Sequence, residues 1–573
     1  MIEGYVFSEL DALAIEKQNL SDKPDDQKWQ TMPYVAADIK GTLLLAGETS
    51  YPADITLRAG LSGWHKIYVA TINMNSANYF MLRLSSDAGF TGIRSTAKGH
   101  LHRWSTTEYA EEFLWKCADL TSEDIIIHKP ESFFLNACTL AWIRCVPMSE
   151  KDVDEYKSNS SLLNIHAHVD CDPTWEDGVD SNEALLARIF PMPNTSISEC
   201  SLEISLDYDT PECSPPIPVF ARDISWYNSN RAFTKIKDHA YHKRVDFLHS
   251  HGIKAYVANR MSVAEFTTPY CNPYMTEKNF PSEHPQYYCT MRDGSRVEVC
   301  SYAFPEVRKY ATDLLLSHIG YGFDGVTLIF HRGLHIGFDQ PVISEFCEKY
   351  PGIDPFTLPV TDKRLNGVFC KFMTEFMQGL RNALDAVSDR HIEICVIIDY
   401  SPESSRNFGL DVEEWARLGL VDKVMQGIME TFEDIEGCTD GSGLIDLEKY
   451  KEKNKVEPII KRYHKTDLEK TVKGALEYQR ICSRHEVKFF ATMPWPHSVE
   501  PKEYIAYKNA LGEIGIRDFI SWNTNHLIYD LPEFHAMVLG DNENCDDSLS
   551  VNHYRVLRLG ENNMSYFNRN WRG

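Results

Sequence analysis

The chain has 573 residues, 43% of them apolar and 25% charged, with a formal net charge of −25. That length exceeds one ordinary core and implies two or three domains. The acidity argues against a nucleic-acid or anionic-membrane surface, both of which need a basic footprint.

The opening "MIEGYVFSELDALAIEKQ" has early acids and no continuous apolar stretch, so it does not read as a secretory signal. No run approaches the roughly 18 apolar residues of a bilayer span. The 15 cysteines are scattered without CxxC pairs. That is the usage of a reduced, cytoplasmic protein.

Up to about residue 150 the chain shows short strand-like runs, among them "TLLLAG", "HKIYVATI", "YFMLRLSS" and "CTLAWIRCVP". Gly, Ser, Asn and Asp separate them, the punctuation of antiparallel sheet. Residues 1–155 are therefore expected to form a β-sandwich of jelly-roll type. Trp64, Trp104 and Trp115 are its candidate sugar-binding aromatics, with a place in the core as the competing expectation.

After "SEKDVDEYKSNS" the rhythm changes. Strands are predicted at "LLNIHAHVD", "SLEISLD", "KAYVANRM", "GVTLIF", "IEICVIID", "VDKVMQGIME", "KFFATMPWP" and "DFISWN". Amphipathic segments such as "PEVRKYATDLLLSHIG" and "GVFCKFMTEFMQGLRNALDAV" alternate with them. Eight strands interleaved with helices predict a (β/α)8 barrel over residues 160–540. "VEPIIKRYH" (456–464) is a ninth strand-like run, placed in an insertion after the sixth strand. Residues 541–573, with recurring aromatics, are expected to be an ordered β-rich tail packing on the barrel or the sandwich.

Chemistry in such a barrel belongs at the C-terminal ends of the strands. His331 and Arg332 follow the fourth strand directly, whereas Asp324 precedes it and reads as the tie of an Asp-Gly entry turn.

The blocks "SYAFPEVRKYATDLLLSHIGYGFDGVTLIFHRG", "FDQPVISEFCEKYPGIDP", "RNFGLDVEEWARLGLVDKVM" and "DFISWNTNH" resemble a group of bacterial proteins described as glycoside hydrolase family 10-like. The likeness covers most of residues 160–573. It implies a carbohydrate-active (β/α)8 enzyme with an extra β domain, no cofactor and a carbohydrate substrate. Association into homo-oligomers through the accessory domain is a further expectation. Sugar-cleaving barrels of this broad type often carry an acid at the end of the fourth strand. Here the corresponding positions hold Leu328, Ile329 and His331, and the seventh strand end offers Trp495 and His497.

Glycoside hydrolysis ordinarily uses two carboxyl groups, one protonated and one ionised. Asp399 and Glu430 end the predicted fifth and sixth strands and are the first candidates. Asp339, before a helix, is the third, and Asp207 at the end of the second strand is a candidate sugar ligand. Each has a structural alternative as an N-cap or loop ion pair. His166, His168, Arg260, His331, Arg332, Trp495, His497, Trp522 and Asn523 complete the expected mouth. Aromatic faces and planar hydrogen-bonding groups suit a pyranose. The pair Arg260 and Arg332 also suits an anionic sugar.

Two other readings stay open. His166 and His168, two apart on a strand, resemble the His-x-His of metal-dependent amidohydrolases, although that pattern expects an aspartate where this chain has Asn523. The absent acid on strand four allows a barrel that binds a glycan without cleaving it.

Overall fold

The computed structural model describes residues 3–36, 39–73, 79–94, 109–129, 137–159, 164–169, 186, 189–193, 195–204, 241–264, 280–330, 335–359, 361–427, 468–493, 501–522, 524 and 552–559.

The N-terminal strands form two sheets. The larger is antiparallel apart from the short run Leu20–Ser21, and contains Trp29–Ala36, Ile39–Ala46, Trp64–Asn73, Tyr109–Asp119 and Cys138–Pro147. Cys138–Pro147 pairs with Ile39–Ala46 at its start and with Trp64–Asn73 along its length, so this sheet closes on itself. Asn552–Leu559, near the far end of the chain, lies between Trp29–Ala36 and Tyr109–Asp119 and completes the ring. The tail thus pairs with the N-terminal strands.

Ile55–Leu57, Ile125–His128, Tyr79–Leu84 and Thr91–Arg94 make the second, four-stranded sheet. In Ile125–His128 buried and half-buried residues alternate, as in a strand with one covered face. Ile55, Leu57, Phe80, Leu82, Ile125 and Ile127 share a core with Leu44, Ile67, Val69, Phe113 and Trp115 of the larger sheet.

The expected eight strands close into a parallel barrel: β1 (Asn164–Val169), β2 (Ile197–Ile204), β3 (Lys254–Arg260), β4 (Gly325–Ile329), β5 (Glu393–Ile398), β6 (Lys423–Gln426), β7 (Lys488–Thr492) and β8 (Asp518–Ser521). Side chains alternate. Ala167, Leu202, Val257, Leu328, Val396, Val424 and Ala491 face outward into the core shared with the helices. Tyr256, Ala258, Ile329, Cys395, Ile397, Met425, Phe490, Ile520 and Trp522 fill the interior. The fold is therefore a packed barrel, covered by helices that include Pro305–Ile319, Lys363–Val387, Leu468–Arg484 and Pro501–Glu513.

β2 begins at Ile197, earlier than the sequence pattern suggests, and is described as far as Ile204, while β6 spans Lys423–Gln426. The acids expected at the ends of these two strands are Asp207 and Glu430. Both lie outside the described residues, as does the run 456–464.

A small antiparallel sheet (Val263–Ala264, Tyr288–Thr290 and Arg296–Cys300) is inserted after β3. Asp339 ties it down: its oxygens accept the Thr290 N–H at 2.7 Å and the Gly337 N–H at 2.9 Å. At the opposite end of β4, Asp324 accepts the Ala255 N–H at 2.9 Å, the entry tie expected of it.

Candidate active site

The barrel interior carries polar groups at both ends, and they belong to different networks. At the N-terminal end, Lys423 on β6 reaches Glu199 on β2 at 2.8 Å and Glu393 on β5 at 2.6 Å. It also donates to the Tyr256 hydroxyl, which in turn donates to Glu393 at 2.6 Å. Lys254 pairs with Glu393 at 2.6 Å, and Lys488 with Asp518 at 3.1 Å.

Burial alone would raise the Glu199 carboxyl. The His166 hydrogen bond, with the Lys423 ammonium, reverses this and holds it down to about 2. Glu393 is likewise held down to about 2, because Lys254, Lys423 and Tyr256 overcome its burial. Burial alone would lower Lys423, but its anionic surroundings raise it.

His166 belongs to this floor. Its Nδ1 meets Glu199 at 2.9 Å and its Nε2 meets Ser201 Oγ at 2.5 Å, and Ser201 continues to Thr327 at 2.7 Å. Burial lowers the His166 imidazole, with Glu199 opposing, so the neutral ring is favoured.

The second network is at the mouth. His168 is two residues further along β1 and fully buried. Its Nε2 lies 2.9 Å from Glu203 Oε2 on β2. The other oxygen of Glu203 lies 2.6 Å from Arg260 Nε, at the C-terminal end of β3. His168 stacks flat on Trp522, which follows β8, with centroids 4.1 Å apart and planes at 2°. Parallel register explains the meeting: Ile520 pairs with His166, so Trp522 rises to the level of His168.

Asp399 directly follows β5, whose Cys395 and Ile397 face the interior. It is fully buried. Ser404 Oγ donates to its Oδ2 at 2.8 Å, and its own N–H donates to Ser405 Oγ at 3.2 Å. Tyr478 OH donates to its carbonyl at 3.2 Å, fixing the turn from the neighbouring helix.

Of the expected mouth residues, the structure brings His168, Arg260 and Trp522 together and puts Asp399 at the same end. It places His166 with the floor and Asp339 in the tie of the inserted sheet. Burial raises the Asp339 carboxyl, against its hydrogen bonds to Ser301, Thr290 and Gly337. Glu430, Asp207, His331, Arg332, Trp495, His497 and Asn523 lie outside the described residues. Trp115 is core, whereas Trp64 is half-buried beside Tyr156 and under Lys157. Trp104 lies outside the described residues.

Glu203 is the group that sequence reasoning missed. Its signal was present: Glu199, Ser201 and Glu203 alternate with Cys200 and Leu202, which is a polar stripe on one face of a strand. Among the described residues no group of three or more His, Cys, Asp or Glu side chains is arranged to hold a metal ion. No helix among them is long and apolar enough to cross a membrane.

Neither a family model nor a curated protein matches this chain. Solved structures similar to it include a ruminal GH26 endo-beta-1,4-mannanase, at 9% identity over 96% of this chain and 99% of that one, with a TM-score of 0.31. The glycoside hydrolase domain of PelA from Pseudomonas aeruginosa is 11% identical over 63% and 95%, TM-score 0.31. A chitinase from Bacteroides thetaiotaomicron is 9% identical over 58% and 68%, TM-score 0.28. The assignment of a parallel eight-stranded barrel rests on the strand pairings themselves.

Proposed function

We propose that the protein is a carbohydrate-active hydrolase that cleaves a glycosidic bond at the C-terminal mouth of its barrel. The observation that carries this reading is the buried Asp399 carboxyl directly after β5, at the same end of the barrel as the network of Glu203, Arg260, His168 and Trp522. One carboxyl kept protonated by its surroundings assists the leaving oxygen, while a second, ionised one acts as nucleophile or activates water. Asp399 is assigned the first role, because it is fully buried and accepts from the Ser404 hydroxyl. Glu430, the acid expected at the end of the sixth strand, is assigned the second. Arg260 is assigned the orientation of sugar hydroxyls, a role proposed also for His331 and Arg332.

Residues 1–155 are proposed as a β-sandwich accessory domain, 160–540 as the catalytic barrel and 541–573 as a tail serving the accessory domain. The metal-dependent reading is weakened by His166, whose two ring nitrogens are engaged by Glu199 and Ser201. A panel of aryl glycosides assayed with and without chelator tests the proposal. Turnover indifferent to chelator is expected. Turnover abolished by chelator supports the metal reading, and glycan binding without turnover supports the non-catalytic one.

A further inference from the structure

The arginine of the mouth already has its counter-ion, and from this we infer that the substrate is a neutral glycan, with Glu203 as the positioning residue that sets this preference. The inference rests on the carbohydrate reading above and adds the substrate's charge class.

An arginine aimed at an anionic sugar presents a planar fork with unspent charge to the incoming carboxylate. Arg260 does not stand in that state. Its Nε edge is 2.6 Å from Glu203 Oε1, and the Glu203 side chain is 1% exposed, so little water screens the pair. The Arg260 side chain is 25% exposed and is the part of the pair that reaches toward a ligand. Glu203 is held in turn: its Oε2 lies 2.9 Å from His168 Nε2, and His168 is clamped flat against Trp522.

The buried Glu203 carboxylate also bears on the ligand itself. A uronate entering this mouth would bring a further negative charge beside Glu203. A neutral sugar brings hydroxyls, which accept from a guanidinium and donate to carboxylates without adding charge.

The test uses the full chain on an array of neutral and uronate-bearing oligosaccharides, with affinities measured for those bound. The wild type is expected to bind neutral oligosaccharides at least about tenfold more tightly than uronate-bearing ones, the weight of one charge-assisted hydrogen bond. Glu203→Gln keeps the shape but frees the charge of Arg260, and should shift the neutral-to-uronate ratio toward uronates by at least about tenfold. A wild type that prefers uronates, or a ratio unmoved in Glu203→Gln, overturns the inference. Should Glu203→Gln fail to fold, Arg260→Gln gives the opposite arm: uronate binding falls further, and an unchanged ratio overturns the inference. If no glycan of either class is bound by any form, the carbohydrate reading itself fails and takes the inference with it.

Discussion

Lys423 shows what the barrel floor costs to disturb. The ammonium is buried and serves Glu199, Glu393 and the Tyr256 hydroxyl together. Removing it leaves the buried Glu199 carboxylate without its nearest ammonium and Glu393 with Lys254 alone of its two close cations. Lys423→Met should therefore destabilise the protein by about 3–5 kcal/mol, measured by urea denaturation at neutral pH. The same network sets the acid limit of stability. Glu199 and Glu393 are held down to about 2, below their ordinary 4.5, so the unfolded chain binds more protons than the folded one as pH falls. Their contribution is complete above about pH 4.5 and is lost as pH drops toward 2. His166, whose folded value is lowered, adds to the same trend from its ordinary 6.5 downward. Melting temperature should fall steadily on acidification through this window. In Glu199→Gln, itself less stable, the slope should be shallower.

At the level of elements, the turn that carries Asp399 depends on a close approach between a helix and a strand end. Gln426 donates to the carbonyls of Tyr400 and Thr471, each at 2.8 Å, linking β6, the turn after β5 and the helix Leu468–Arg484. Gly474 of that helix faces the same carbonyl, and a Cβ there would overlap the Tyr400 oxygen. Gly474→Ala should cost about 1–3 kcal/mol by overpacking and also lower turnover, because relief requires the Asp399–Tyr400 turn to move. An alanine variant with wild-type melting and turnover would show that the approach is not needed.

The elements were largely legible because each barrel strand is a short apolar run bounded by turn residues, as in "EICVIID" and "GVTLIF". Strand ends were less legible. Polar inward residues such as Glu199 and Glu203 break the apolar run, so the sequence pattern starts β2 at Ser201 where the strand begins at Ile197. His166 and His168 look equivalent in sequence. Two residues along a strand separate a floor from a mouth, and only the partners in β2 tell them apart.

For the whole molecule, the position of Asn552–Leu559 is decisive. It pairs with Trp29–Ala36 on one side and Tyr109–Asp119 on the other. Sequence reading recognised a β-rich tail, but pairing partners more than 400 residues away leave no local trace. Removing residues 541–573 should leave both neighbours with open edges, the usual template for self-association. The truncated chain is expected to melt earlier than the full chain and to form oligomers in light scattering. A truncated chain that matches the full one in both respects would contradict the pairing.

The proposed hydrolysis turns on acids at the barrel mouth, and the most direct measurement is turnover of an activated aryl glycoside by Asp399→Asn and Glu430→Gln beside the wild type. Each variant should fold normally and lose at least about 100-fold in turnover, the scale of lost general acid–base catalysis. Near-normal turnover in both variants would contradict the assignment and return the search to Glu203 and the other carboxylates of the mouth.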